Sequence, residues 1–157
     1  MRFLRRHHRV FLRRLAALLL LLLALASGAR ANEIGALLAV VNIERSRAGL
    51  MQLQPDSQLQ QAAAAHAADL PRCGQFSHIG CDGSDLQLRL RRVAYPFALA
   101  AENLALGTPD ATATLAAWLN SPGHRENLLR PGLRDAGIAL GNLNGQVFWV
   151  LVLGARL

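Results

Sequence analysis

Four side chains stand out as able to do chemistry together. His66, His78 and His124 are the histidines after residue 31, and Glu102 lies in an otherwise apolar segment from Phe97 to Leu106. A carboxylate in such a segment needs partners, because burying it alone costs several kcal/mol, ~2–7 even for a neutral polar group. His78 falls in a Gly-rich stretch between Cys73 and Cys81. His124 falls in the first turn after Ser121-Pro122-Gly123, where the positive end of a helix disfavours imidazolium. A neutral imidazole can ligate a metal or accept a proton. Two imidazoles and a carboxylate suit an open cation site with water in the remaining positions, or a carboxylate that orients one histidine by accepting its ring N–H. His66 sits on an apolar helical stripe and reads as a core histidine. Spacing alone does not bring the others together, since they form no local motif of the HExxH kind. No GxSxG elbow supplies a nucleophile, although Ser77 and Ser121 adjoin the histidines.

The elements that position these residues follow from periodicity and caps. Asn32 is expected to cap a helix reaching about Ala48, with Ile34, Leu37, Leu38 and Val41 on one face and Gly49 at its end. A second helix is expected from Pro55-Asp56 to Leu70, closed by Pro71, with Leu59, Ala63, His66 and Leu70 as its stripe. Ser84 with Gln87 reads as a capping box for a short helix to Arg92. Ala100 to Ala105 reads as a strand. Thr108-Pro109-Asp110 opens a helix with Ala111, Leu115 and Trp118 on one face, and Ser121-Pro122 caps a further turn ended by Pro131. Ala136 to Leu140 and Gln146 to Leu153 read as strands joined at Asn144-Gly145, a hairpin signal. Early helices and a late hairpin give an α+β class.

Charge divides the chain. Seven of its 17 basic residues, all arginine, lie in residues 1–31 with no acid among them, so residues 32–157 carry ten arginines against ten acids. That neutrality excludes nucleic acid as a partner of the body. Met1 to Arg14 is cationic, Leu15 to Ala26 is an unbroken apolar run, and Ala29-Arg30-Ala31 has an A-x-A pattern. This is the layout of a signal peptide over residues 1–31, cleaved after Ala31, and the run is short of the ~20 apolar residues a membrane span needs. Membrane contact is therefore expected only through this segment before cleavage; retention as an anchor is the rival, and Arg13-Arg14 hints at twin-arginine export. Residues 32–157 are expected to form one domain, a monomer, in the periplasm or outside the cell. Export places Cys73 and Cys81 where disulfides persist, and a bridge would close a short loop worth roughly 2–3 kcal/mol. The rival is a zinc site of both thiolates and His78, though the spacing matches no usual CxxC pattern.

At these residues the chain resembles a known family. Val41-Asn42-Ile43-Glu44-Arg45 before Gly49-Leu50, Phe76-Ser77-His78 with Asp82-Gly83-Ser84, Glu102-Asn103-Leu104-Ala105, and Trp118 to Leu129 with its core Ser121-Pro122-Gly123-His124-Arg125-Glu126-Asn127 are similar to the motifs of the CAP superfamily (SCP domains), in a short bacterial secreted form. Gly137-Ile138-Ala139 and Phe148-Trp149 match the family's final hairpin. The resemblance implies an α-β-α sandwich with a central antiparallel sheet and a surface cleft. It places the two cleft histidines, which in some members hold zinc or another divalent cation, at His78 and His124, and one acid at Glu102. The second acid of the eukaryotic tetrad falls on Ser121, so the tetrad is incomplete, and Glu126 points elsewhere on its helix. The usual Gly before Tyr95 is Ala94. Asn127 is expected to tie its turn to the rest of the fold, and Trp118 and Trp149 to be core.

Three functions follow: a binding module whose cleft holds a cation and docks a lipid, glycan or peptide; a hydrolase using metal-bound water or a His/Glu pair; and a scaffold with a vestigial cleft. With no nucleophile motif, binding is favoured over enzymatic activity, and fold alone does not choose.

Overall fold

The computed structural model describes the backbone of residues 2–157, with side chains from residue 28 onward and at Arg14, Leu20, Leu21 and Leu25 before it. The chain divides into two units, Met1–Glu33 and Ile34–Leu157. In the first the backbone is helical from Arg2, as part of α1 (Arg2–Arg47). Asn32 is thus inside a helix and caps nothing, because α1 runs through it unbroken and no Pro precedes it to stop the helix. Among the described residues no helix is long and apolar enough to cross a membrane.

The second unit is a four-stranded sheet between two helical layers. After the last part of α1 come β1 (Gln54–Pro55), α2 (Ser57–Cys73), α3 (Leu86–Arg92), β2 (Phe97–Leu106), α4 (Ala111–Leu119), α5 (Pro122–Leu128), β3 (Asp135–Leu143) and β4 (Gln146–Arg156). The sheet order is β1-β3-β4-β2. The three long strands are antiparallel, as expected, but β1 pairs parallel to β3 through Gln54 and Pro55, so the sheet is mixed. A two-residue strand carries no period for sequence to reveal. The β3–β4 hairpin turns at Asn144 and Gly145, both at positive φ (52° and 86°), the geometry of a type I′ turn.

β4 is buried on both faces and fixes the layers. Trp149, Leu151 and Leu153 join Leu37, Val41, Leu115, Trp118 and Leu128 on one side. Phe148, Val150 and Val152 join Leu59, Ala63, Leu70, Leu90 and Tyr95 on the other. Both tryptophans are core residues, and each indole N–H is used, Trp118 Nε1 on the Leu104 carbonyl and Trp149 Nε1 on that of Thr108. At Gly137 the backbone of α2 lies directly on β3. A Cβ there would stand 2.1 Å from the Leu59 carbonyl carbon. Gln60 locks the same contact by exchanging two hydrogen bonds with the backbone of Ile138.

Several boundaries differ from expectation for local reasons. α2 is capped by Asp56, whose carboxylate accepts from the N–H groups of Gln58 and Leu59, and it continues past Pro71 to Cys73 before Gly74 closes it in a left-handed conformation. α3 is capped by Asp85 rather than Ser84, since the Asp85 carboxylate takes the Leu88 N–H. Ser121 occupies the N-cap of α5, but its side chain makes no capping hydrogen bond; Pro122 removes one of the donors that would need it.

Candidate functional site

The site is assembled from the loop after α2, from α3, and from β2. Cys73 and Cys81 are bonded, closing the loop that carries His78. Hydrogen bonds to three side chains hold the loop. His66, on the buried face of α2, places Nε2 3.0 Å from the Ser77 carbonyl. Arg89 Nη1 donates to the carbonyls of His78 at 3.0 Å and Ser84 at 2.9 Å. The Cys81 N–H donates to the Asp69 carboxylate at 2.6 Å.

Glu102 meets this loop from β2. Its Oε1 accepts from His78 Nδ1 at 2.8 Å, and its Oε2 accepts from Arg89 Nη2 at 2.7 Å. The glutamate side chain is 3% exposed and that of His78 is 56% exposed. The carboxylate thus faces inward with both oxygens engaged, while the imidazole it holds faces outward. A histidine that donates Nδ1–H to a carboxylate keeps Nε2 as a lone-pair donor. His66 Nε2 lies 3.9 Å from the same Oε1, so the acid stands between two rings and a guanidinium. Burial lowers the pKa of His66 foremost, and Arg89 adds to this against the pull of Glu102.

The residue after Glu102 positions the second histidine. Asn103 is fully buried; its amide donates to the His124 carbonyl at 2.9 Å and accepts from Asn127 at 2.9 Å, while Asn127 also donates to the Glu102 carbonyl. Asn127 therefore ties α5 to β2, as expected. His124 is half-buried, and its pKa is lowered by burial first and then by the neighbouring His78. The structure thus joins His78 to Glu102 directly and links His124 to the same strand through the backbone. Glu126 is exposed and lies beside another hollow, with Pro122, Arg125 and Leu129. Among the described residues no group of three or more His, Cys, Asp or Glu side chains is arranged to hold a metal.

Arg89 is the residue that sequence reasoning missed. It precedes Arg91 and Arg92 on a seven-residue helix and looks like one of a solvated run, yet it is 4% exposed. Only its spacing of three residues from Leu86 hints that it faces inward.

In front of His78 lies a groove of about 540 Å³, lined by Leu86, Phe97, Leu99, Glu102 and Arg130 among others. Neither Ser121 nor His124 lines it.

A mixed sheet between two helical layers, with a histidine loop and a glutamate strand meeting at a surface groove, is the architecture of an SCP-type α-β-α sandwich. Residues 38–153 match the model of the cysteine-rich secretory protein family, CAP, and the chain belongs to that family. It is 32% identical over 104 residues to the uncharacterized membrane protein YlbC of Bacillus subtilis, covering 66% of this chain and 30% of that one. It is 32% identical over 100 residues to the uncharacterized protein YkwD of the same organism, covering 63% and 38%. The chain thus spans about a third of the length of those relatives. Among solved structures, an extracellular SCP-domain protein of Bacillus anthracis superposes with a TM-score of 0.73 at 32% identity, over 81% of this chain and 41% of that one. An outer surface protein of Borrelia burgdorferi superposes with a TM-score of 0.74 at 24% identity, over 80% and 94%, which supports the fold alone.

Proposed function

We propose that this chain is an exported CAP-domain binding module whose groove docks an extracellular ligand, a lipid, glycan or peptide, with a divalent cation such as zinc held at His78 and His124. The observation that carries this reading is the orientation of His78. Its inward nitrogen is committed to a buried carboxylate, and its exposed ring stands at an open groove. Glu102 is then a positioning residue and not a ligand, because both oxygens are used. Neutral imidazoles suit zinc, and burial favours the neutral form of His124. Two protein donors leave the remaining positions to water and imply weaker binding than a three-residue site. Ser77 Oγ accepts from the Ile79 N–H, which gives it a local role and adds nothing to a hydrolytic reading.

Calorimetric titration of the metal-free protein with Zn²⁺ tests the proposal, alongside His78→Ala and His124→Ala. Heat in the parent that both substitutions abolish supports the shared site. No heat in the parent removes the cation from it. Export rests on the arginine-rich start, the apolar run Leu15 to Ala26 and the A-x-A pattern; N-terminal sequencing of protein from the exported fraction should begin at Asn32.

A further inference from the structure

The groove also runs along a free strand edge. β2 ends the sheet, so one long side has no strand partner. Along an edge, every second residue turns its N–H and C=O outward. Further along β2 these groups are used. The Glu102 carbonyl accepts from Asn127, and the Leu104 carbonyl accepts from Trp118 Nε1 at 2.9 Å. Ala100 shares their parity. It faces Gly154 across the ladder, with unbroken register from there to Glu102, so its N–H and C=O turn the same way. Among the described residues neither group has a hydrogen-bond partner on that side. Ala100 lines the groove with Phe97 and Leu99. Arg130 lines it too, and its guanidinium makes no ion pair among the described residues.

We propose that the groove binds a short extended peptide, which adds as a strand to the outer edge of β2 at Ala100 and places its C-terminal carboxylate at Arg130. This rests on the binding role proposed above and names the class of ligand. An outward N–H and C=O on one residue match the paired donor and acceptor of a peptide strand, and this is how edge strands recognise extended chains. Leu86, Phe97 and Leu99 offer apolar lining to its alternate side chains. The irregularity between Phe97 and Leu99 interrupts the edge at one end, and Asn127 and Trp118 occupy it at the other. The free stretch therefore fits a peptide end and not a long sheet.

The test uses acetyl-Val-Ala-Val-Ala as the free acid, as its C-terminal amide, and with alternate amides N-methylated in each of the two registers, read by calorimetry. Contacts to backbone tolerate sequence, so the free acid is expected to bind. Methylation in one register should abolish binding and in the other leave it. The amide should bind about tenfold more weakly. Ala100→Pro removes the outward N–H at an edge position that tolerates proline and should weaken binding by at least about tenfold. Arg130→Gln should erase the difference between acid and amide. Binding that is absent for every peptide at about 1 mM, or unaffected by methylation in either register, overturns the proposal. So does a dimer in sedimentation that Ala100→Pro dissolves, which would assign the edge to a second copy. Zinc titration of the same protein separates the two readings. Zinc heat without peptide binding defeats the edge alone, and peptide binding without zinc heat defeats only the cation.

Discussion

Glu102 and Arg89 form an ion pair at 2.7 Å with side-chain exposures of only 3% and 5%. Such a pair is weak evidence for net stability, because desolvation of both charges offsets their attraction. Breaking it is another matter, since either partner left alone is a buried, uncompensated charge. Arg89→Met is expected to cost about 3–5 kcal/mol in urea unfolding. The double variant Arg89→Met/Glu102→Leu should lose clearly less than the two single losses combined. Additive losses would show that the two groups are not coupled. Arg89→Met should also weaken the proposed zinc binding, because the same guanidinium holds the His78 carbonyl.

Acid should destabilise the fold in a window set by histidines. Burial holds His66 below the ordinary histidine range, and burial together with His78 does the same to His124. In the unfolded chain both return to about 6.5. The unfolded state therefore binds more protons as pH falls. Stability is fully present above the unfolded value, is lost as pH falls from there toward the lower folded values, and levels off beneath them. Urea midpoints measured from about pH 8 down to pH 5, on either side of that value, should fall with this sign. His66→Gln should flatten part of the slope, and an unchanged slope would remove His66 from the account.

The fold was largely legible in the sequence because its signals are local. The continuous apolar run of β4, the Asn144-Gly145 turn and the Asp110 start of α4 each act within a few residues. Sequence misread Ser84, since the neighbouring Asp85 makes the cap hydrogen bond; Ser121 is the N-cap that its place before Pro122 indicates, but its side chain makes no capping hydrogen bond. The candidate site was singled out mainly through motif resemblance, which pointed to His78, Glu102 and His124. What spacing could not show was direction. Whether Glu102 faces out as a ligand or inward as a support depends on Arg89, 13 residues away and hidden in a basic run.

Close packing makes Gly137 the most exacting position on β3. With a Cβ 2.1 Å from the backbone of α2, no side-chain movement relieves the clash, and the helix itself must shift. Overpacking of this kind costs typically about 1–3 kcal/mol and occasionally more. Gly137→Ala should reach or exceed the top of that range in thermal or urea unfolding. It should also disturb the exchange between Gln60 and Ile138, visible as faster amide exchange at Ile138. A loss below about 1 kcal/mol would mean that α2 stands farther from the sheet than described.

The disulfide has a structural and a functional consequence that different measurements separate. Joining Cys73 to Cys81 restricts the unfolded chain, and a loop this short contributes roughly 2.5 kcal/mol by chain entropy. The double variant Cys73→Ser/Cys81→Ser should lose about that much in urea unfolding. The loop also carries His78, but His66, Arg89 and Glu102 hold it from within. Reduction should therefore loosen His78 without freeing it. Zinc affinity should fall modestly, by less than about tenfold, or 1.4 kcal/mol. Combining the double Ser variant with Arg89→Met should remove it altogether. Complete loss of zinc binding in the double Ser variant alone would show that the covalent bridge, and not the guanidinium and carboxylate behind it, sets the position of the ring.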